Sequence, residues 1–189
     1  MKHLLAILTL ALTAASCSTI TVQNRHDESE DFSRFRSYAW MPKAKATGNV
    51  PIDEPAVDRR IKKVVEEQLH FKGFRKASAT EADFLIGYQV AVDSQLSAND
   101  VATHYDFDTT KTDPKLIGSV QTDSSARDLT YVRTYEQGTL ILNVADAKSN
   151  ELVWWSTAQA EVSAADSIEV RRKRIQKAVS QMLKEFPPK

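Results

Sequence analysis

Cys17 is the only cysteine in the chain, so an intramolecular disulfide and an all-cysteine metal site are both ruled out. A lone thiol can still be an attachment point, and three small residues, Ala14-Ala15-Ser16, stand directly before it. The histidines His3, His26, His70 and His104 fall in separate segments, and none shares with another the i, i+4 spacing that sets two metal ligands on one helix face. Asp106-Phe107-Asp108, with Asp113 beyond, has the look of a calcium loop but lacks the glycine of its sharp turn and the closing bidentate Glu. It reads as a solvated polar loop. Only five glycines occur, with no phosphate-cradling loop, dinucleotide fingerprint or Gly-x-Ser-x-Gly elbow among them. These patterns assign no catalytic residue, no metal ligand and no cofactor.

A hydrolase would have to use scattered carboxylates such as Asp83, Asp146 or Glu151. Asp83, beside a buried strand, would need a raised pKa for that work; the simpler reading is a turn residue at the strand start. Arg171-Arg172-Lys173-Arg174 is the one strong basic run. It reads either as a contact for anionic lipid headgroups or cell-wall polymer, or as the solvated face of a helix that also carries Asp166, Glu169 and Glu185, and the second reading is preferred. Trp154 and Trp155 are neighbours in a strand pattern, so they point to opposite faces. One belongs to the core; the other is exposed or covered by a helix or loop, and packing is preferred over a ligand groove.

Charge narrows the partners. Of 189 residues, 25 are Lys or Arg and 25 are Asp or Glu, a net of zero. A protein that holds nucleic acid through its phosphates needs a basic surplus, so that class is set aside. With 42% hydrophobic and 26% charged residues, the composition is that of one folded globular domain.

Met1-Lys2-His3, the apolar run Leu4 to Leu12 and the small residues up to Ser16 make a secretory signal peptide over 1–16, too short for a stable bilayer anchor. Ala14-Ala15-Ser16-Cys17 resembles a bacterial lipobox, with Ala14 where a Leu is usual. The resemblance implies that Cys17 is acylated, for example with palmitate, and becomes the mature N-terminus, followed by a short tether over 17–19. The alternative is an ordinary cleavage near Ala15 that leaves a free thiol. Ser18 in place of Asp implies, by the sorting habits of such lipoproteins, the outer membrane facing the periplasm. Removing 1–16 takes one Lys and no acid, leaving 24 basic and 25 acidic residues.

The remainder, 20–189, reads as a single α+β domain. Ile20-Thr21-Val22 alternates as a short strand, and Gln23 to Asp31 reads as a polar turn. Phe35 to Met41 is an aromatic-rich strand stopped by Pro42, and 43–55 a loop. Apolar Val57, Ile61, Val64, Val65 and Leu69 form one helix face, begun near Asp53 and Pro55 and ended at Gly73. Asp83 to Val92 reads as a central strand. Residues 93–128 form a polar variable insertion, with strand extensions over Val101 to Phe107 and Leu129 to Tyr135. Gly138 to Val144 and Leu152 to Val162 form a hairpin across Asp146 to Asn150. A last helix from Asp166 or Ser167 to Glu185 carries the stripe Ile168, Ile175, Ala178, Val179, Met182, Leu183 and Phe186. The expected architecture is an antiparallel sheet of four to six strands with two helices packed on one face.

Asp31-Phe32-Ser33, Tyr38-Ala39-Trp40, Lys72-Gly73-Phe74, Ala82 to Ile86, Gly138-Thr139-Leu140, Leu152-Val153-Trp154 and Phe186-Pro187-Pro188 occur in the order seen in the bacterial lipoprotein family called domain of unknown function 4136, which the chain resembles over nearly all of its mature length. The resemblance implies an exported, usually lipid-anchored α+β domain and carries over no activity or site residue. The functional expectation is a non-catalytic binding or structural module that docks an envelope protein or cell-wall partner, with the membrane reached through lipid on Cys17. Periplasmic hydrolase and carrier of a small apolar ligand between sheet and helices are the alternatives.

Overall fold

A computed structural model of the chain describes residues 19–42, 55–92, 136–163 and 165–189. Six strands are present among them: β1 (Thr21–His26), β2 (Ser37–Trp40), β3 (Arg75–Lys76), β4 (Phe84–Val92), β5 (Glu136–Asp146) and β6 (Leu152–Val162). Two helices, α1 (Pro55–Phe71) and α2 (Ile168–Met182), complete the layer, and short 3-10 turns lie at Phe32–Arg34 and Leu183–Glu185. Cys17, the expected signal peptide 1–16, residues 43–54, the expected insertion 93–128 and the strand extensions expected around it lie outside the described residues.

The strands form one sheet in the order β1-β6-β5-β4-β2-β3. β4, β5, β6 and β1 pair antiparallel, β5 and β6 as a hairpin, but β2 runs parallel to both β3 and β4. The sheet is therefore mixed, which corrects the expectation of an antiparallel one. The chain leaves β2, passes through α1 and returns to β3 and β4, and such a crossover brings strands back in the same direction. A second correction concerns Gln23 to His26, expected in a turn. They continue β1, pairing Gln23 with Thr157 and His26 with Trp154. An edge strand with one face in water carries polar residues and so hides its period.

Both helices lie on one face. Ile61, Val65 and Leu69 of α1 share a core with Ala178, Val179 and Met182 of α2 and with Phe84, Ile86, Leu140, Leu142 and Trp154 of the sheet. Gly73 ends α1 at φ +89°, a left-handed conformation that glycine adopts without a Cβ penalty. The Phe74 N–H then donates to Leu69 O at 3.0 Å and the Gly73 N–H to His70 O at 2.9 Å, closing the helix end and folding Phe74 inward. Ser167 caps α2, its hydroxyl accepting from the Val170 N–H at 3.3 Å. Ile168, placed by the sequence in the apolar stripe, is 69% exposed at this first turn; the buried stripe starts only as α2 comes down on the sheet. Trp154 and Trp155 take opposite faces, and both are buried.

Candidate functional site

The residues that carry the family resemblance meet in the core. Phe186 lies with ring centroids 5.0 Å from Trp154, 5.6 Å from Phe84, 5.7 Å from Phe74 and 6.3 Å from Phe32. Phe35 joins at 5.2 Å from Phe84 and Tyr38 at 6.0 Å. These motifs, far apart in sequence, thus form one aromatic nucleus. The polar motif residues hold the backbone around it. Asp31 accepts from the Ser33 N–H at 3.0 Å, and the Trp40 indole N–H donates to Glu66 at 2.7 Å. Burial, with the nearby Glu66 carboxylate, pushes the Tyr38 phenol up to about 12, so it stays protonated.

The carboxylates considered for hydrolysis are equally committed. One Asp83 oxygen accepts the Arg36 N–H at 2.9 Å, the Ser37 N–H at 2.8 Å and the Ser37 hydroxyl at 2.9 Å. Burial alone would raise the Asp83 pKa, but these donors outweigh it and hold the carboxyl below its ordinary value. This overturns the raised pKa that a hydrolase would need. Asp146, nearly buried, accepts the Lys148 and Ser149 N–H groups at 2.9 and 2.7 Å and pairs with Arg34 at 2.7 Å. Burial again pushes up, and the backbone donors and Arg34 bring its pKa below the ordinary 3.8. Glu151 gives its backbone carbonyl to the Asp146 N–H. Both aspartates pin the sheet end beside β2 and β5; neither holds a transferable proton at neutral pH. Among the described residues no group of three or more His, Cys, Asp or Glu could hold a metal ion.

The basic run occupies the first half of α2. Arg172 pairs with Glu169 at 2.6 Å, and Lys173 reaches the same carboxylate at 3.8 Å. Arg174 turns inward to Asp166 at 2.7 Å, with both side chains 16% exposed. The Arg171 N–H donates to Ser167 O at 3.0 Å, as a helix backbone does. The four residues therefore do not converge on one surface: Arg172 and Lys173 lie in solvent, Arg174 against the core.

Two features rest on residues that the sequence reading did not name together, although the carrier alternative supposed a cavity between sheet and helices. The first is an apolar cavity of about 100 Å³ between the sheet and both helices. Gly138, Ala158, Ala160 and Ala178 line it, and their small size on facing elements is the signal that could have revealed it. A Cβ at Gly138 would meet Val162 Cγ1 at 2.7 Å, so this strand position admits no side chain without a shift. The second lies on the other sheet face, where Gln89, Asn143 and Trp155 are buried. The Gln89 Oε1, both Asn143 amide atoms and the Trp155 Nε1 find no hydrogen-bond partner among the described residues. Strand periodicity marks these residues as facing away from the helices but says nothing of their partners.

A family model described as Domain of unknown function (DUF4136) matches residues 22–188. The fold is similar to that of a crystallised DUF4136 family protein from Bacteroides thetaiotaomicron VPI-5482, at 15% identity and a TM-score of 0.54 over 89% of this chain and 96% of that one. A PDZ domain protein from Parabacteroides distasonis ATCC 8503 matches at 12% identity and a TM-score of 0.52; the alignment covers 91% of this chain but only 36% of that protein. No curated protein matches the chain.

Proposed function

Since the chain belongs to the DUF4136 family, we propose that it is a lipid-anchored module of the bacterial envelope, held by Cys17 in the outer membrane facing the periplasm, which docks a partner there and catalyses nothing itself. The observation that carries the non-catalytic reading is the use made of the motif residues, which go into an aromatic nucleus and backbone-capping carboxylates. An active site gathers titratable groups poised to exchange protons in a cleft, whereas Asp83 and Asp146 are held in the charged form by donors that fix the sheet end.

The position of β1 supports the anchoring. Thr21 already pairs with Gln159, so the four steps from Cys17 span at most about 14 Å and hold the domain close to the bilayer. β6 ends at Val162 on that same side and α2 begins at Ile168, bringing exposed Ile168 and Val170 with Arg172 and Lys173 toward the tether. Glu169 offsets much of that positive charge. The lipid supplies attachment, and the helix tip orients the domain. Phe71, 81% exposed at the end of α1, lies at the far end, since Lys72 reaches Lys184 O beyond α2. It is the most exposed large apolar side chain among the described residues and the first place to look for a partner.

Site-specific photocrosslinkers at Phe71 and at Ile168 in living cells test the docking. The expected outcome is a discrete protein or cell-wall adduct from position 71 and lipid adducts from position 168. Lipid alone from both positions contradicts docking.

A further inference from the structure

On the face of the sheet turned away from the helices, Ile141, Asn143 and Ala145 of β5 are 0% exposed and Trp155 of β6 is 3% exposed. They alternate with Leu140, Leu142, Val144 and Trp154, which point into the core shared with α1 and α2. No described helix lies over the first set. A side chain on an uncovered sheet face keeps its outer surface in water, and strand neighbours alone do not bury a Trp and an Ile so fully. The face therefore has a cover, and it comes from this chain.

We propose that residues 93–135 dock on this face as its intramolecular partner. The segment leaves β4 at Val92 and re-enters at Glu136 of β5, and Val92 pairs with Gly138. Both its ends are thus fixed at one end of the two strands that carry Gln89, Ile141 and Asn143. Joining neighbouring antiparallel strands takes only about two to five residues, and the surplus, at about 3.3 Å per extended residue, spans β5 and back. Residues 43–54, by contrast, run from β2 into α1 on the helix side. The chemistry also matches. The face mixes Ile141 and Ala145 with Gln89, Asn143 and Thr157, and a wholly apolar cover such as an acyl chain would strand the unpartnered Gln89, Asn143 and Trp155 atoms. The segment has both characters, with Leu96, Val101, Phe107, Leu116, Ile117 and Val120 set among many Ser, Thr, Asp and Asn. Covered from within the chain, the face is withdrawn from other partners, and this holds whether or not Phe71 docks one.

Isotope-edited NOE spectroscopy of the purified chain, with Ile methyl and Trp indole groups labelled, tests the docking. The Ile141 methyl and the Trp155 Nε1–H show NOEs to protons of residues 93–135, unchanged on dilution. NOEs confined to the described strands, NOEs to 1–18 or 43–54 instead, NOEs to a second copy in a mixed-label sample, or rapid exchange of the Trp155 Nε1–H with water overturns the proposal. A variant with residues 94–134 replaced by Asn-Gly gives a second readout. In it the Trp155 Nε1–H exchanges with solvent at least about tenfold faster, while the Ile61 methyl on the helix side keeps its shift. Undiminished protection of Trp155 in that folded variant also overturns the proposal; should the variant fail to fold, the NOE pattern of the intact chain decides.

Discussion

Asp146 illustrates how a carboxylate that looks available for catalysis is consumed by the fold. It closes the β5–β6 turn through two backbone N–H groups and fastens Arg34 across the sheet end. Loss of one partner from such a buried pair leaves the others unsatisfied, so Asp146→Ala should cost about 2–4 kcal/mol in chemical denaturation at neutral pH. The pH dependence has a definite sign. A carboxyl whose folded-state pKa lies below the ordinary 3.8 gives its full stabilisation above that value and loses it as pH falls through the folded-state pKa. The stability gap between wild type and Asp146→Ala should therefore shrink below about pH 4. A gap unchanged at pH 3 would mean that Asp146 acts by packing alone. Sequence places Asp146 and Asp83 at strand ends but cannot say whether a carboxylate there is free or fully occupied, because beyond the local turn donors of Asp146 the others, Arg34 and the N–H groups of Arg36 and Ser37, come from a segment about 50 to 110 residues earlier.

At the scale of elements, legibility followed the locality of the cause. α1 with its Gly73 stop, the β5–β6 hairpin and α2 were readable, since periodicity, capping and turn chemistry all act within a few residues. The parallel pairing of β2 and the polar edge strand β1 were not, because strand direction and edge position are set by partners elsewhere in the chain. The lining of the cavity was hidden for the same reason: it forms only where Gly138, Ala160 and Ala178 from three elements come face to face. The aromatic nucleus ties these elements together, and Phe186 after α2 touches four of its rings. Phe186→Ala should cost about 3–5 kcal/mol, whereas Phe71→Ala, at an exposed helix end, should change stability by less than about 0.5 kcal/mol. Guanidinium unfolding of the two variants side by side measures the contrast, and equal effects would deny the nucleus its role.

For the whole molecule, 25 basic and 25 acidic residues leave no net charge to drive binding. The described helices include none long and apolar enough to cross a membrane. On the proposed account, attachment rests on Cys17, and everything said of orientation, from the tether at Thr21 to the distal position of Phe71, depends on it. Acyl chains contribute about 0.8 kcal/mol per buried CH₂, which makes two or more of them a lasting anchor where the charges of α2 are not. The most direct measurement is mass spectrometry of the N-terminal peptide from the protein isolated from its native membrane. The account predicts a chain that begins at Cys17 and carries diacylglyceryl and acyl mass, with Cys17→Ser releasing the domain from the membrane fraction. A mature chain with an unmodified Cys17 thiol, or membrane association that persists in Cys17→Ser, would contradict it.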